Sequence, residues 1–527
     1  MMFNRAKKRK AELLEHYAQL KKEVFNFDII KKYASATKNT EGDFRISDAT
    51  YNDLDFDEVF MFLDRSISKI GQQYLYSTFQ IIPKDNSQTI RREKRIQQLK
   101  GNLETKEQCI VALSKLSDYE THYITSLFLE DQIQKPNWFW LIKLSGIISA
   151  TTFISAFFFP FLWIVLVFLL MGNFIIHYWN KKNLYQYAVS LPELITLVNV
   201  VKNTSDFIGE NDPKISRAIA EIEKIKSLIS IFKFNPAPKS DVGELADYLL
   251  ELMKALFVIE PLLLFRILKK LESQKEHIHE LFKYVGELDL CINIESIRNS
   301  VDANCQLQLT DETSSLNMVK GYHPLIPQPI DNSLNSNNKS ILLTGSNMSG
   351  KSTFIRTLGI NAIIGQSLNI CFAEEFTMPK MHVSSAIRIA DDLMTDTSYY
   401  FQEVTAIKKL IEASEQSTPN LFLLDELFKG TNTLERIASG KAVLSRLAQQ
   451  GNMVFVASHD LELSDLLKDE FDTYHFSEQI ENGEIVFDYK IKTGGLQKTN
   501  AIKILQVNGF PQDVIEEARR IVNKLKN

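Results

Sequence analysis

Residues 138–179 read WFWLIKLSGIISATTFISAFFFPFLWIVLVFLLMGNFIIHYW, 42 positions in which Lys143 is the only fixed charge. A run this apolar leaves few folds. In hydrocarbon every backbone N–H and C=O must be paired within protein, which helices and closed barrels achieve and isolated loops do not. One spanning helix needs about 20 apolar residues, so the run holds two, with a short turn near Pro160. Trp138, Trp140, Tyr178 and Trp179 stand at its two ends, where an aromatic belt meets the headgroups. Lys135 and Lys143 lie near one end and Lys181 and Lys182 follow the other. The positive-inside rule therefore puts both ends on the cytoplasmic side. The pattern predicts a transmembrane helical hairpin over 136–182. A re-entrant hairpin turning at 157–161 and a hairpin buried inside a soluble protein stay open as alternatives. Ser145 with Ser149 and Gly146 with Ala150 give the small-x-x-x-small spacing of paired helices.

The flanks are helical in pattern. Residues 51–130 show apolar periodicity around 59–63 and 74–79, and 184–300 continues through 191–201, 215–231, 243–271 and 276–290. Pro236-Ala237-Pro238 interrupts the second run, and 332–340 (NSLNSNNKS) reads as a polar loop. With 527 residues, three or four domains are expected. The net charge of −5 argues against a chain that coats nucleic acid by charge alone, without excluding a local basic groove. Cys109, Cys291, Cys305 and Cys371 show no metal-ligand spacing, so reduced thiols in a cytosolic environment are expected. Residues 4–10 (NRAKKRK) are basic with no apolar core behind them, which is not a signal peptide pattern.

A second constraint lies at 344–353, TGSNMSGKST, directly after Ile341-Leu342-Leu343. An apolar strand emptying into G-x-x-x-x-G-K-S is a phosphate cradle. Gly345 and Gly350 let backbone N–H groups turn toward phosphates, and the following helix adds its positive end. Lys351 would reach the β- and γ-phosphates, and the Ser352 hydroxyl would ligate Mg²⁺. Further on, the apolar run 421–424 ends in Asp425-Glu426. Asp425 suits the Mg²⁺ shell, and Glu426 suits positioning or deprotonating the attacking water. The run 453–457 delivers Ser458-His459, with His459 where a γ-phosphate sensor would sit. Lys351, Glu426 and His459 form the expected catalytic set.

These motifs carry a family resemblance. Residues 345–353 (GSNMSGKST) resemble the phosphate loop of the MutS family, where an Asn-Met pair precedes the glycine. Asp391-Asp392-Leu393 followed by Ser398-Tyr399-Tyr400-Phe401-Gln402-Glu403 is similar to its D-D-L…S-T-F-M-x-E signature, and 424–433 (LDELFKGTNT) to its D-E-x-x-x-G-T-S-T segment. Gly321-Tyr322-His323-Pro324-Leu325 resembles its R-H-P motif, and 487–494 the strand whose aromatic flanks adenine. Phe510-Pro511 with Val514-Ile515 and Ala518-Arg519 is similar to its C-terminal dimerisation helix. Leu63-Asp64-Arg65, Gly71, Pro83 and 91–99 resemble the start of its helical core. The likeness covers 51–130 and 245–527.

The resemblance implies an α/β ABC-type P-loop ATPase domain at the C-terminus and an all-α core and lever interrupted by the hairpin. The implied organisation is a basic helical segment (1–50), helical core (51–135), membrane hairpin (136–182), second core and lever part (183–318), ATPase domain (319–495) and dimerisation motif (496–527). ATP and Mg²⁺ are the implied cofactors. Gly345, Ser346, Asn347, Met348, Ser349, Gly350, Lys351, Ser352, Thr353 and Tyr489 would bind nucleotide, and Ser352 with Asp425 would hold the metal. In a homodimer, Ser398 would contact the γ-phosphate bound by the partner, and Gly430, Thr431 and Asn432 would line the seam. DNA is a further implied partner.

Three features depart from the family pattern. No N-terminal mismatch-reading domain is expected ahead of the helical core, and Phe56-Asp57-Glu58, at the entry to that core, is expected to be a chance match to the Phe-x-Glu wedge. The hairpin lies where the family's lever helices carry a DNA clamp. Asp396 stands where the signature usually has glycine. The resulting expectation is a dimeric ATPase at the cytoplasmic membrane, termini and ATPase domain in the cytoplasm, whose nucleotide cycle moves helical levers. A transport-associated ABC ATPase and a soluble DNA-structure sensor are the alternatives.

Overall fold

The computed structural model describes residues 11, 13–14, 17, 19–37, 42–130, 135–229, 252–346, 348–388, 399–481, 484–495, 502, 505–506 and 509–526. The basic stretch 4–10, Pro236–Pro238 and the signature positions Asp391–Leu393, Asp396 and Ser398 lie outside them, as does Asn347. The chain divides into two units: Met1–Lys38 with Asp64–Ser77 and Arg91–Ser296, and Asn39–Leu63 with Thr78–Ile90 and Ile297–Asn527.

In the first unit the apolar run folds as two helices, α1 (Phe139–Ala156) and α2 (Leu162–Ile208), joined through 157–161. Only 22% and 11% of their most apolar 18-residue stretches are buried, whereas a core helix would be mostly covered. Both are long and apolar enough to cross a membrane. Trp138 and Trp179 meet edge to face at the base, ring centroids 4.7 Å apart, and Phe157 meets Trp163 at the tip. α2 does not stop at the basic pair 181–182. It continues through Pro192 for 47 residues, roughly 70 Å at 1.5 Å per residue, and is capped by Gly209 in the left-handed region (φ 71°). One hairpin arm and the helical flank that follows it are therefore a single element.

The same unit explains Gly71. Asp289 is fully buried and accepts from Ile67 N (2.9 Å), Ser68 N (2.7 Å) and Ser68 Oγ (2.6 Å) at the start of the helix Lys69–Thr78. A Cβ on Gly71 would sit 2.1 Å from the Asp289 carboxylate. Nearby, Asp64 is buried against Lys21 (2.9 Å) and Gln72 (2.6 Å). Burial raises its carboxyl, but the Lys21 charge and the hydrogen bonds from Gln72, Lys21 and Ser66 N outweigh it and hold the carboxyl below the usual range.

The second unit holds a six-stranded sheet: β1 (Ser340–Thr344), β2 (His382–Ala386), β3 (Asn420–Asp425), β4 (Met453–Ala457), β5 (Phe471–His475) and β6 (Lys492–Thr493), in the spatial order β6-β5-β1-β4-β3-β2. All pairs are parallel except β5–β6. Strands β1 and β4 are buried at every position, the uniform apolar pattern of a sheet covered on both faces. Helices α3 (Lys351–Leu368), α4 (Tyr399–Ser414) and α5 (Thr433–Leu447) connect the strands.

Two expectations change here. The segment 332–340 is not a loop throughout: Asn332–Asn337 is a strand paired antiparallel with Ser315–Gly321. Its alternate residues Asn332, Leu334 and Ser336 are buried. The polar members can be buried because they find partners, Ser336 Oγ donating to Lys339 O at 2.5 Å. Residues 39–50, expected in the basic N-terminal segment, and 51–63 and 78–90, expected within the helical core, group instead with the sheet unit. Phe56, Phe60 and Phe79 are fully buried there, with the Phe56 and Phe79 rings stacked at 5.3 Å. Asp53 grips the exit of β2, accepting from Ser385 Oγ (2.6 Å), Ile387 N (2.9 Å) and Arg388 N (2.8 Å).

Candidate active site

Strand β1 delivers the cradle. Gly345 takes φ 144° and a Cβ there would lie 2.6 Å from Phe476 O, so only glycine fits. Gly350, at φ 108°, starts α3. Met348 is exposed at the crest of the loop. Lys351 is buried, its ammonium donating to Gly345 O and Ser346 O, both at 2.8 Å. Burial lowers its pKa, opposed by Asp425, Glu426 and Glu478. Ser349 Oγ donates to Ser346 O at 2.8 Å and braces the turn. Thr353, next in α3, has its carbonyl held by Thr357 Oγ1 at 2.8 Å.

The ends of β3 and β4 complete the constellation. Ser352 Oγ donates to Asp425 Oδ2 at 2.5 Å, so the two expected Mg²⁺ ligands, 73 positions apart, share one point. Glu426 leaves β3 with a positive φ of 55°, its N–H donating to Ala457 O at 2.9 Å. That bend aims its carboxylate at His459, whose Nε2 contacts Glu426 Oε1, while Lys429 Nζ lies 3.3 Å from Oε2. The hydrogen bond from His459, working against partial burial and helped by the charges of His459 and Lys429, pulls the Glu426 carboxyl down to about 2. A carboxylate so held is a weak proton acceptor, and it gains basicity only as His459 and Lys429 move away. Ser352 and Asp425 fit a magnesium ion: a hydroxyl and a carboxylate are hard oxygen donors, and phosphate oxygens and water normally complete such a shell.

The structure thus brings Gly345, Ser346, Lys351, Ser352, Asp425, Glu426 and His459 to one end of the sheet. Tyr489 joins them: its ring would lie 3.3 Å from a Cβ on Gly350, and Asn332 holds its backbone, donating from Nδ2 to Tyr489 O at 3.0 Å. Gly430, exposed, passes close to Tyr400. Thr431 donates to Glu435 Oε2 at 3.1 Å, and Asn432 caps α5 through Glu435 N at 3.0 Å, so both also have local structural work.

Two contacts had no sequence signal of their own, and a third gives a physical reason for the last residue of the signature. Glu478, buried, accepts from Ser346 Oγ at 2.7 Å, and Asn332 steadies the Tyr489 turn. Glu403 is fully buried in α4 and accepts the N–H groups of Phe428 and, at 3.3 Å, Lys429. Burial raises its carboxyl above the usual range, opposed by these backbone donors. It ties the signature helix to the turn carrying Lys429. Truncation in Glu403→Ala strands buried N–H groups, which costs about 1–3 kcal/mol. Thermal denaturation and an ATPase assay should show a destabilised, slower protein, with Glu403→Gln nearer wild type because an amide oxygen still accepts. Wild-type stability and rate in Glu403→Ala would show that the turn does not depend on this contact.

Residues 341–526 match the family described as MutS domain V. The C-terminal region is similar to MutS domain V. The DNA mismatch repair protein MutS of Listeria welshimeri is 30% identical over 283 residues, 51% of this chain and 32% of the relative. MutS of Listeria monocytogenes is 31% identical over 266 residues (48% and 30%), and that of Prochlorococcus marinus 28% over 277 residues (49% and 30%). The chain spans about a third of the length of the curated relatives it matches.

Proposed function

We propose that this MutS-like chain is a dimeric, Mg²⁺-dependent ATPase anchored in the cytoplasmic membrane. The observation that carries the chemistry is the meeting of Ser352 with Asp425, flanked by Lys351 and the Glu426–His459 pair. Magnesium, held by Ser352 and Asp425, would neutralise charge between the β- and γ-phosphates. Lys351 would leave the loop carbonyls it now contacts and turn to the phosphates. The γ-phosphate would compete with Glu426 for His459, freeing the carboxylate to orient water. Ser398 and the Gly430–Asn432 turn of one copy would close over the nucleotide of the other. Nucleotide-driven closure would be transmitted to the helical unit, and α2 runs unbroken from hairpin to lever. DNA, as the partner named in the relatives' function, is the proposed load of that lever.

Mixing Lys351→Ala chains with Ser398→Ala chains tests the composite site. Half of the mixed dimers' sites lack both groups and half lack neither, so activity should reappear above that of either variant alone. Activity that never exceeds the two variants' own levels would argue against sites built from two chains.

A further inference from the structure

Leu256 and Phe257 belong to neither arm of the hairpin, yet they pack within it. Leu256 joins Ala156 of α1 and Leu166 of α2 in one buried apolar cluster, with Phe153 and Phe257 against it. The Phe257 ring meets Phe153 edge to face at 5.6 Å, and a Cβ on Gly146 would lie 3.1 Å from Phe257 O. Further along, Phe265 meets Phe139 at 4.9 Å. At 1.5 Å per residue, Gly146 is about 12 Å and Phe153 about 22 Å along α1 from Trp138. Residues 256–257 therefore lie level with the interior of the hairpin, and 265 with its base.

The backbone breaks at this depth. Residues 252–256 are helical, Val258 takes φ 52°, and a new helix begins at Ile259. A helix end leaves carbonyls without donors, and hydrocarbon offers none. Asn173 of α2, itself buried, supplies one. Its Nδ2 donates to Leu256 O at 2.5 Å and lies 3.1 Å from Ser149 Oγ, while its Oδ1 accepts from Ser145 Oγ. An asparagine in the middle of an apolar helix is thus spent on closing the end of a third segment. Between Lys254 and Arg266 the only charge is Glu260, whose Oε2 lies 3.5 Å from His177 Nδ1. Pro261, in the first turn of the new helix, needs no donor there.

We infer that residues 255–265 form a third membrane-embedded segment, broken at 257–258 and clamped there by Asn173, with acyl chains covering its outward face. This rests on the hairpin being in the membrane. Ile259 is 37% exposed, so protein does not shield it and only lipid would. Full-length protein carrying Cys305→Ser, which removes the half-exposed native thiol, is reconstituted in phosphatidylcholine–phosphatidylglycerol vesicles. Ile259→Cys and, as an aqueous control, the exposed Ser273→Cys are labelled with a charged maleimide. Quenching by brominated acyl chains of the four tryptophans, all within 138–179, reports the hairpin in the same vesicles. Ile259→Cys should react about tenfold or more slowly than Ser273→Cys, because hydrocarbon excludes the charged reagent. Equal rates with quenched tryptophans would overturn the third segment and leave the hairpin standing, whereas unquenched tryptophans would overturn both. Asn173→Leu should bring the Ile259→Cys rate several-fold toward the control, and an unchanged rate would remove the clamp.

Discussion

Glu426→Gln should retain ATP and lose its hydrolysis. Removing a general base or water-orienting carboxylate costs about 10²–10⁴ in rate, and the amide keeps the shape that fills the turn after β3. ATP affinity should change little, because the cradle, Lys351 and the Ser352–Asp425 pair are untouched. A closed dimer trapped on ATP is the expected species, read by size-exclusion chromatography with bound nucleotide. Lys351→Ala should instead lose binding itself. With His459 and Lys429 in place, acidification does not reproduce Glu426→Gln. The folded carboxyl titrates near 2, below its ordinary range, so its pairing with His459 and Lys429 is fully present above the usual glutamate pKa and lost only as the pH falls through 2. So long as His459 and Lys429 hold it, the carboxylate stays charged throughout any practical assay. Once the γ-phosphate draws His459 away, its pKa rises toward the ordinary glutamate range, where an acid limb in kcat would report it. Hydrolysis by Glu426→Gln at the wild-type rate would sink the assignment.

The second large effect concerns the hairpin. Phe168 and Met171 are exposed on one side of α2, near the middle of its apolar stretch. A lysine at a helix centre costs about 2.5–3.5 kcal/mol on insertion. Phe168→Lys with Met171→Lys should therefore abolish stable integration, leaving the chain in the soluble or aggregated fraction. Wild-type protein should stay with membranes through a high-salt wash and leave only with detergent. Release by salt alone would refute the anchored reading and favour a soluble protein with a covered hairpin.

Local pattern carried much of this molecule. An apolar strand entering G-x-x-x-x-G-K-S, and a second ending in Asp-Glu, can be read because each rule operates within about ten residues. The apolar run at 138–179 is legible for the same reason: two helices form there. Asn332–Asn337 misled because serine and asparagine favour loops, and only partners distant in sequence make them a strand. Cys305 and Cys371 look unrelated along the chain, yet they exchange backbone hydrogen bonds at 3.0 and 2.9 Å across a two-residue bridge. Gly71 drew notice through a motif, but its reason, the Asp289 carboxylate, comes from 218 positions away.

The sequence alone therefore determined the elements and the kind of chemistry: a phosphate loop, a carboxylate pair at a strand end and a long apolar hairpin. Tertiary structure decided what those groups do to one another. It set Ser352 on Asp425, tied Glu426 to His459, fastened Glu403 to the following turn and placed Asn173 under the broken end at Leu256. Periodicity and propensity act between neighbours in the chain. Hydrogen bonds and charge pairs act over a few ångströms in space, and only folding makes distant residues neighbours.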